Sequence, residues 1–462
     1  MKVSNESVTT VVPLASTAEA ETPVQVNDFL ELELPKELYQ AIDKLGFTTS
    51  TAIQKAVLPY SLDGRDIIAQ AQTGTGKTAA FLISVLTYHL ENPEYDPRPP
   101  GAPFALVIAP TRELVMQIAD DAVGLSLFTD IDIISVVGGM DYEKQKNQLK
   151  GNIDLIIATP GRLLDFCRTG VINLSRVETL VIDEADRMLS MGFIPDVKSI
   201  ISKTPPKHKR QTQLFSATFS DDIKRLAASW TLDPVKIEIE PDQVAVDSVE
   251  QLVYLAAADQ KFTVLYNLLT QGDVDRVIIL VNRRDETRYL EDKLYRHGID
   301  SGLLSGEVVQ TKRIRTLEQF KSGEIKVLVA TDVAGRGIHV EGVSHVVNYN
   351  LPEDPEDYVH RIGRTGRAGA LGTSISLACE DESFMLPAIE ALLGSAFHCQ
   401  QPPVEFLMAP PAPVRKGRDK PPAPPARSGG RSGNSSGSSS GSSFGKSAGR
   451  GGSKYGGPRR GH

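Results

Sequence analysis

The chain predicts two α/β domains in tandem, each built on a parallel sheet, on three observations. Short apolar runs alternate with amphipathic stretches of helical period, the pattern of strand–helix–strand units. These runs fall into two sets, parted by the linker-like Ile239-Glu240-Pro241-Asp242-Gln243. The 462 residues also exceed what one hydrophobic core usually organises.

The first set of predicted strands is Asp66–Ala69, Ala105–Ala109, Asp154–Ala158, Thr179–Ile182 and Gln213–Ser216. The second is Arg276–Val281, Val327–Ala330, His345–Tyr349 and Thr373–Leu377. Residues 1–27 show no periodicity and read as a flexible arm. The first domain then spans 28–238, a linker 239–247 and the second domain 248–398. From 399 to 462 the chain turns Pro-rich and then Gly/Ser-rich, compositions that bury too little apolar surface to offset ordering entropy, so this tail is expected to be disordered.

Several classes are excluded early. No run approaches the roughly 18 apolar residues of a membrane span, and the Val11–Ala15 patch is too short and Pro-broken for a secretory signal. Three scattered cysteines (Cys167, Cys379, Cys399) predict neither a disulfide framework nor a zinc site. A soluble, cytoplasmic protein is the expectation. The net charge of −8 is uneven: residues 396–462 hold eleven Lys/Arg against Glu405 and Asp419. An acidic body with a basic tail suggests that the tail meets a polyanion.

After the first strand comes Ala71-Gln72-Thr73-Gly74-Thr75-Gly76-Lys77-Thr78, followed by an apolar helix. The glycines let backbone N–H groups wrap a polyphosphate at a helix N-terminus. Lys77 would reach the β/γ-phosphates and Thr78 would hold Mg²⁺. Asp183-Glu184 follows the Thr179–Ile182 strand, and a carboxylate there points into the crevice where ligands sit. Asp183 would hold Mg²⁺, while Glu184 would orient and deprotonate the attacking water. Either motif alone could be an ordinary turn; together they favour ATP hydrolysis.

Asp183-Glu184-Ala185-Asp186 resembles the name-giving motif of the DEAD-box RNA helicases, and further segments match in order. Gly46-Phe47 with Thr51-Ala52-Ile53-Gln54 resembles the adenine-reading segment, and Phe29 stands at the family's isolated aromatic. Pro110–Leu114, Gly138-Gly139, Thr159–Arg162, Ser216-Ala217-Thr218, Gln310–Arg313, Ala330–Gly337 and His360–Arg367 complete the set. Within the family, Asp141–Gln145, Ser376–Glu380 and Leu386–Glu390 resemble a bacterial branch of mRNA turnover.

The resemblance implies two RecA-like domains around an inter-domain cleft, with ATP and Mg²⁺ as cofactors. Phe29, Phe47 and Gln54 would hold adenine, and Arg364 and Arg367 would act as arginine fingers from the second domain. Thr111, Arg112, Gly139, Thr159, Arg162, Gln310, Arg313 and Thr331 would contact the RNA backbone with little sequence reading. Ser216, Thr218 and His360 would couple hydrolysis to unwinding. It further implies a monomeric motor unit and an endoribonuclease partner in an RNA-degrading complex. An ATP-gated RNA clamp without strand separation uses the same motifs, and a P-loop kinase or small-molecule ATPase is a more distant alternative. The basic tail reads as a salt-sensitive RNA tether.

Overall fold

The computed structural model describes residues 28–71, 74–92, 98–239, 249–272, 274–335, 340, 342–366 and 371–415. The expected arm over 1–27, nearly all of the 239–247 linker, Gln72, Thr73 and Arg367 lie outside these residues, as does the tail from 416 onward.

Among the described residues, fourteen strands form two sheets. The first holds β1 (Ile67–Gln70), β2 (Ala105–Ile108), β3 (Ile133–Val136), β4 (Leu155–Ala158), β5 (Thr179–Ile182), β6 (Gln211–Ser216) and β7 (Val235–Glu238). The second holds β8 (Val249–Leu255), β9 (Val277–Val281), β10 (Ser301–Leu304), β11 (Val327–Thr331), β12 (His345–Asn348), β13 (Gly372–Ala378) and β14 (Cys399–Gln400). All neighbours pair in parallel, in the orders β3-β4-β2-β5-β6-β1-β7 and β10-β11-β9-β12-β13-β8-β14. Counted from its own first strand, each lobe has the same order.

Parallel strands need crossovers, and the helices that supply them cover both faces of each sheet. The central strands are therefore buried on both sides: β2, β4, β5, β9 and β11 expose nothing. One apolar layer of the first lobe joins Phe81, Val107, Ile157, Val181 and Phe215; the opposite face packs Leu106, Ile108, Ile156, Leu180, Met188 and Leu214. The second sheet divides its core likewise, around Ile279 and Val329 on one face and Ile278, Leu280 and Phe320 on the other.

The Pro-rich stretch departs from the sequence expectation of disorder from 399. Cys399 and Gln400 pair with Val253 and Tyr254 and so supply the seventh strand of the second sheet. A short 3-10 turn, Val404–Leu407, then lies on the Lys261–Gln271 helix, with the Phe406 ring edge-on to Tyr254. Asn267 donates to the carbonyls of Phe406 (3.0 Å) and Met408 (2.7 Å). Farther on, the N–H groups of Val414 and Arg415 bond Arg296 O, and Arg415 pairs with Asp300. Composition missed this strap because a few anchors in an otherwise polar, Pro-rich run leave no periodic signal.

Candidate active site

The loops after the carboxyl ends of β1, β2, β4, β5 and β6 converge on one side of the first sheet, where parallel α/β folds bind ligands. After β1, Ala71 is buried and its N–H bonds Ser216 O. Gly76 has φ +92°, and a Cβ there would lie 2.7 Å from Gln54 Nε2, so both conformation and space require glycine. Gly74 and Thr75 lead into the helix Lys77–Glu91, which Thr78 enters half-buried.

Lys77 is 5% exposed. Its Nζ lies 3.7 Å from Asp183 Oδ1 and makes no hydrogen bond. A buried ammonium without an acceptor is costly.

Asp183 follows β5, 2% exposed, and accepts from the Glu184 N–H (2.9 Å). Burial, reinforced by the charges of Glu184 and Asp186 and opposed by Lys77, pushes its carboxyl up to about 6. Glu184 adopts φ +53°, a left-handed backbone that a side chain adopts at a cost on the order of 1 kcal/mol. Its carboxylate is gripped by Arg187 Nη1 at 2.7 Å, both groups buried. The Arg187 Nε and Nη2 atoms have no partner. Arg187 is thus the orienting group for Glu184, a role that the spacing Glu184-x-x-Arg187 on a helical turn signals only in retrospect.

Gln54 is held at both ends of its amide. Oε1 accepts from Thr51 N (2.8 Å) in a capping box, and Nε2 donates to Gly76 O (3.1 Å). One N–H and one lone pair remain for a base edge. Phe29 and Phe47 lie 6.4 Å apart; Phe29 is 1% exposed and packs in the core, whereas Phe47 is half-buried. Phe29 therefore supports the Phe47 surface from behind.

Ser216 and Thr218 tie β6 to the Asp183–Asp186 turn. The Ser216 hydroxyl accepts from Asp186 N (3.2 Å) and donates to Thr218 O (2.8 Å). Asp186 Oδ2 in turn accepts from the N–H groups of Ala217 (2.9 Å) and Thr218 (3.0 Å).

From the second lobe, Arg364 is 3% exposed, with Nε donating to His360 O (2.9 Å). His360 and Arg364 line a small crevice with Asp332, Gly335, Asp357 and Arg361. Arg361 serves the fold: it bonds Asp332, Asn282 Oδ1 and Asn350 O from a buried position.

The expected RNA residues divide. Thr111 caps the helix Arg112–Leu125 through Leu114 N, and Thr159 begins the helix Pro160–Arg168. Arg162 stacks over Tyr142 and Phe166 and reaches Met140 O. Arg112 lies against Gly139, where a Cβ would fall 2.2 Å from its Nη1; with φ +78°, the position admits only glycine. Burial, together with the charges of Arg313 and Arg162, lowers the Arg112 guanidinium below its ordinary value. Thr331 ends β11 and is buried.

Gln310 and Arg313 are 2% and 6% exposed and engage the first lobe. Arg313 Nε pairs with Glu113 (2.8 Å), and Gln310 donates to Glu113 (3.1 Å) while accepting from Arg112 (3.2 Å). Glu113 was missed as a functional residue, because its neighbours Thr111 and Arg112 suit a phosphate and an acid does not. Across the junction it accepts from both Gln310 and Arg313 and so ties the two lobes.

Known proteins resemble the chain throughout this region. Residues 51–226 match the DEAD/DEAH box helicase family and residues 260–369 the helicase conserved C-terminal domain. The ATP-dependent RNA helicase RhlB of Pseudomonas putida is 57% identical over 380 residues, 82% of this chain and 96% of that protein. Its Salmonella arizonae counterpart is 42% identical over 411 residues, 89% and 98% of the two chains. Among solved structures, S. cerevisiae Dbp5 bound to RNA and ADP BeF3 is 34% identical with a TM-score of 0.72, covering 81% of this chain and 95% of that one. Mss116p bound to ssRNA and AMP-PNP is 28% identical with a TM-score of 0.73, covering 84% and 82%.

Proposed function

The chain belongs to the DEAD/DEAH box helicase family and is an ATP-dependent RNA helicase of that kind, and on this premise we propose that it separates short RNA duplexes by closing its two lobes on ATP and a single strand. The observation that carries the reading is the buried, acceptor-free Lys77 Nζ beside Asp183, in a lobe fastened to its partner through Glu113.

In this reading Lys77 neutralises the β/γ-phosphates while the backbone at Gly74–Thr78 cradles them. Phe47 and the spare amide capacity of Gln54 receive adenine. Glu184, oriented by Arg187, holds the attacking water and takes its proton. Arg364 and Arg367 add positive charge at the γ-phosphate from the second lobe, so hydrolysis waits for closure. Thr78 and Asp183 fit a Mg²⁺ ion held by one hydroxyl, one carboxylate and the nucleotide; among the described residues no cluster of three or more His, Cys, Asp or Glu could cage a metal. When bound, Mg²⁺ would supply charge neutralisation to the polyphosphate.

Arg112, Gly139, Thr159 and Arg162 then form the strand-binding track of the first lobe, with Thr331 on the second. Gln310 and Arg313 contribute by positioning Arg112 and closing the track. We read the motor unit as monomeric and cytoplasmic, acting in mRNA turnover beside an endoribonuclease. The family resemblance supports this assignment, and co-purification with such an enzyme tests it. No described helix is long and apolar enough to cross a membrane.

Steady-state ATPase with and without single-stranded RNA, run beside Glu184→Gln, tests the core reading. The expectation is strong stimulation by RNA that the variant abolishes; turnover indifferent to RNA would overturn it. A duplex-displacement assay separates a helicase from an ATP-gated clamp.

A further inference from the structure

The Thr218 hydroxyl faces carboxylates of both lobes. Its Oγ1 lies 3.4 Å from Asp186 Oδ2 in the first lobe and 3.5 Å from Glu356 Oε2 in the second. Glu356 stands in the first turn of the helix Pro355–Ile362, which also carries His360. A hydroxyl has one proton to donate. Asp186 already accepts from two backbone N–H groups at 3.0 Å or less in a nearly buried position. Glu356 arrives as a second carboxylate competing for the same proton, and two ionised acids sharing one site repel.

We propose that Glu356 is a positioning residue that acts as a charge brake on lobe closure, because its carboxylate opposes Asp186 across the single Thr218 hydroxyl. This inference rests on the reading of the two lobes as an RNA-gated ATPase. The groups acting most strongly on Glu356 are acidic: Asp354 and Asp357 on its own helix and Asp186 across the junction. Only the Thr218 hydroxyl favours its charge. Burial and then these acids push its carboxyl up from the ordinary 4.5. His360 lies one turn along the same helix. A neutral Glu356 changes the geometry little: it donates its own proton toward Thr218 or Asp186, and the repulsion becomes a hydrogen bond.

The sign follows. Closure brings Glu356 beside Asp186 and favours its protonated form, so lowering the pH favours closure. RNA and ATP must overcome the repulsion at neutral pH, which makes closure more dependent on RNA.

The test uses the full chain and a poly-uridine single strand. The RNA concentration giving half-maximal ATPase is measured for wild type and Glu356→Gln from about pH 8 down to about pH 5, toward the ordinary glutamate value of 4.5. Binding of the same RNA in the presence of a non-hydrolysable ATP analogue is followed by anisotropy. At pH 8 the variant should need roughly three- to tenfold less RNA in both measurements, the size of one uncompensated charge pair in a partly buried site. The gap should close as the pH falls, since protonation releases the brake in the wild type. A merely structural glutamate in a helix first turn would instead make the variant weaker at every pH. Equal or higher RNA demand in Glu356→Gln, with a wild type that RNA does stimulate, overturns this inference alone. A wild type indifferent to RNA overturns the functional reading and this inference with it.

Discussion

Lys77 and Lys261 occupy the same place in two lobes of the same strand order. Each is the first residue of the helix that follows its lobe's first strand, and each is about 95% buried or more. Each also approaches the residue just past the fifth strand, Asp183 in one lobe and Tyr349 in the other. Their partners differ. Lys261 Nζ donates to Tyr349 O (2.9 Å) and pairs with Glu382 (2.7 Å), so its charge is satisfied within the lobe. Lys77 Nζ has only a 3.7 Å approach to Asp183. One fold thus holds a lysine at this position as an internal tie in one lobe and without a hydrogen-bond acceptor in the other. The lesson is that function sits in what is left unsatisfied.

The sharpest way to break this comparison is to remove each ammonium in turn. Lys77→Met should lower ATP turnover by about 10²–10³-fold while the ligand-free chain loses less thermal stability than Lys261→Met does, because only the 3.7 Å approach to Asp183 is given up. Lys261→Met should instead cost on the order of 3 kcal/mol of second-lobe stability, since it strands Glu382, read as a lower thermal midpoint. Equal effects on turnover and melting in the two variants would dissolve the distinction.

Next in size is the junction between the lobes. Glu113→Ala leaves Arg313 and Gln310 without their cross-lobe acceptor, and RNA-stimulated ATPase should fall by about 30-fold, equivalent to roughly 2 kcal/mol. Strand displacement should fall with it. Smaller still, Gly139→Ala forces Arg112 aside and should raise the RNA concentration for half-stimulation by about fivefold, equivalent to ~1 kcal/mol. An unchanged RNA requirement would remove Arg112 from the track.

The strands that the sequence predicts are the ones buried on both faces. β2, β4, β5, β9 and β11 read as apolar runs because nothing polar can be tolerated in them. The strands that escaped prediction, β3, β7, β10 and β14 with their neighbour β8, lie at or next to sheet edges. β7 reads Val-Lys-Ile-Glu with only Ile237 buried, and β10 begins Ser-Gly, so neither carries a run to recognise. Site residues follow a similar rule. Lys77, Asp183 and Glu184 were legible as candidates because phosphate chemistry fixes residue type and spacing within a few positions. Glu113, Arg187 and Glu356 were not, because their meaning lies in partners that folding brings near. Glu113 meets Arg313 across 200 residues. Gln310 and Arg313 were legible as motif members, but their burial at the junction was not.

The last strand of the second lobe has a consequence for the order of synthesis. β14 lies on β8, the strand that opens that lobe, although the two are roughly 150 residues apart, a long-range pairing that slows folding. During translation the first lobe can complete its sheet once Glu238 has left the ribosome, whereas the second keeps one edge of β8 uncovered, the edge away from β13, until Gln400 emerges and the strap to Arg415 can settle behind it. The nascent chain therefore presents a finished nucleotide-binding lobe well before its regulator exists, and an interruption between those points would release a lobe with an open edge, the kind of surface that invites pairing with another chain.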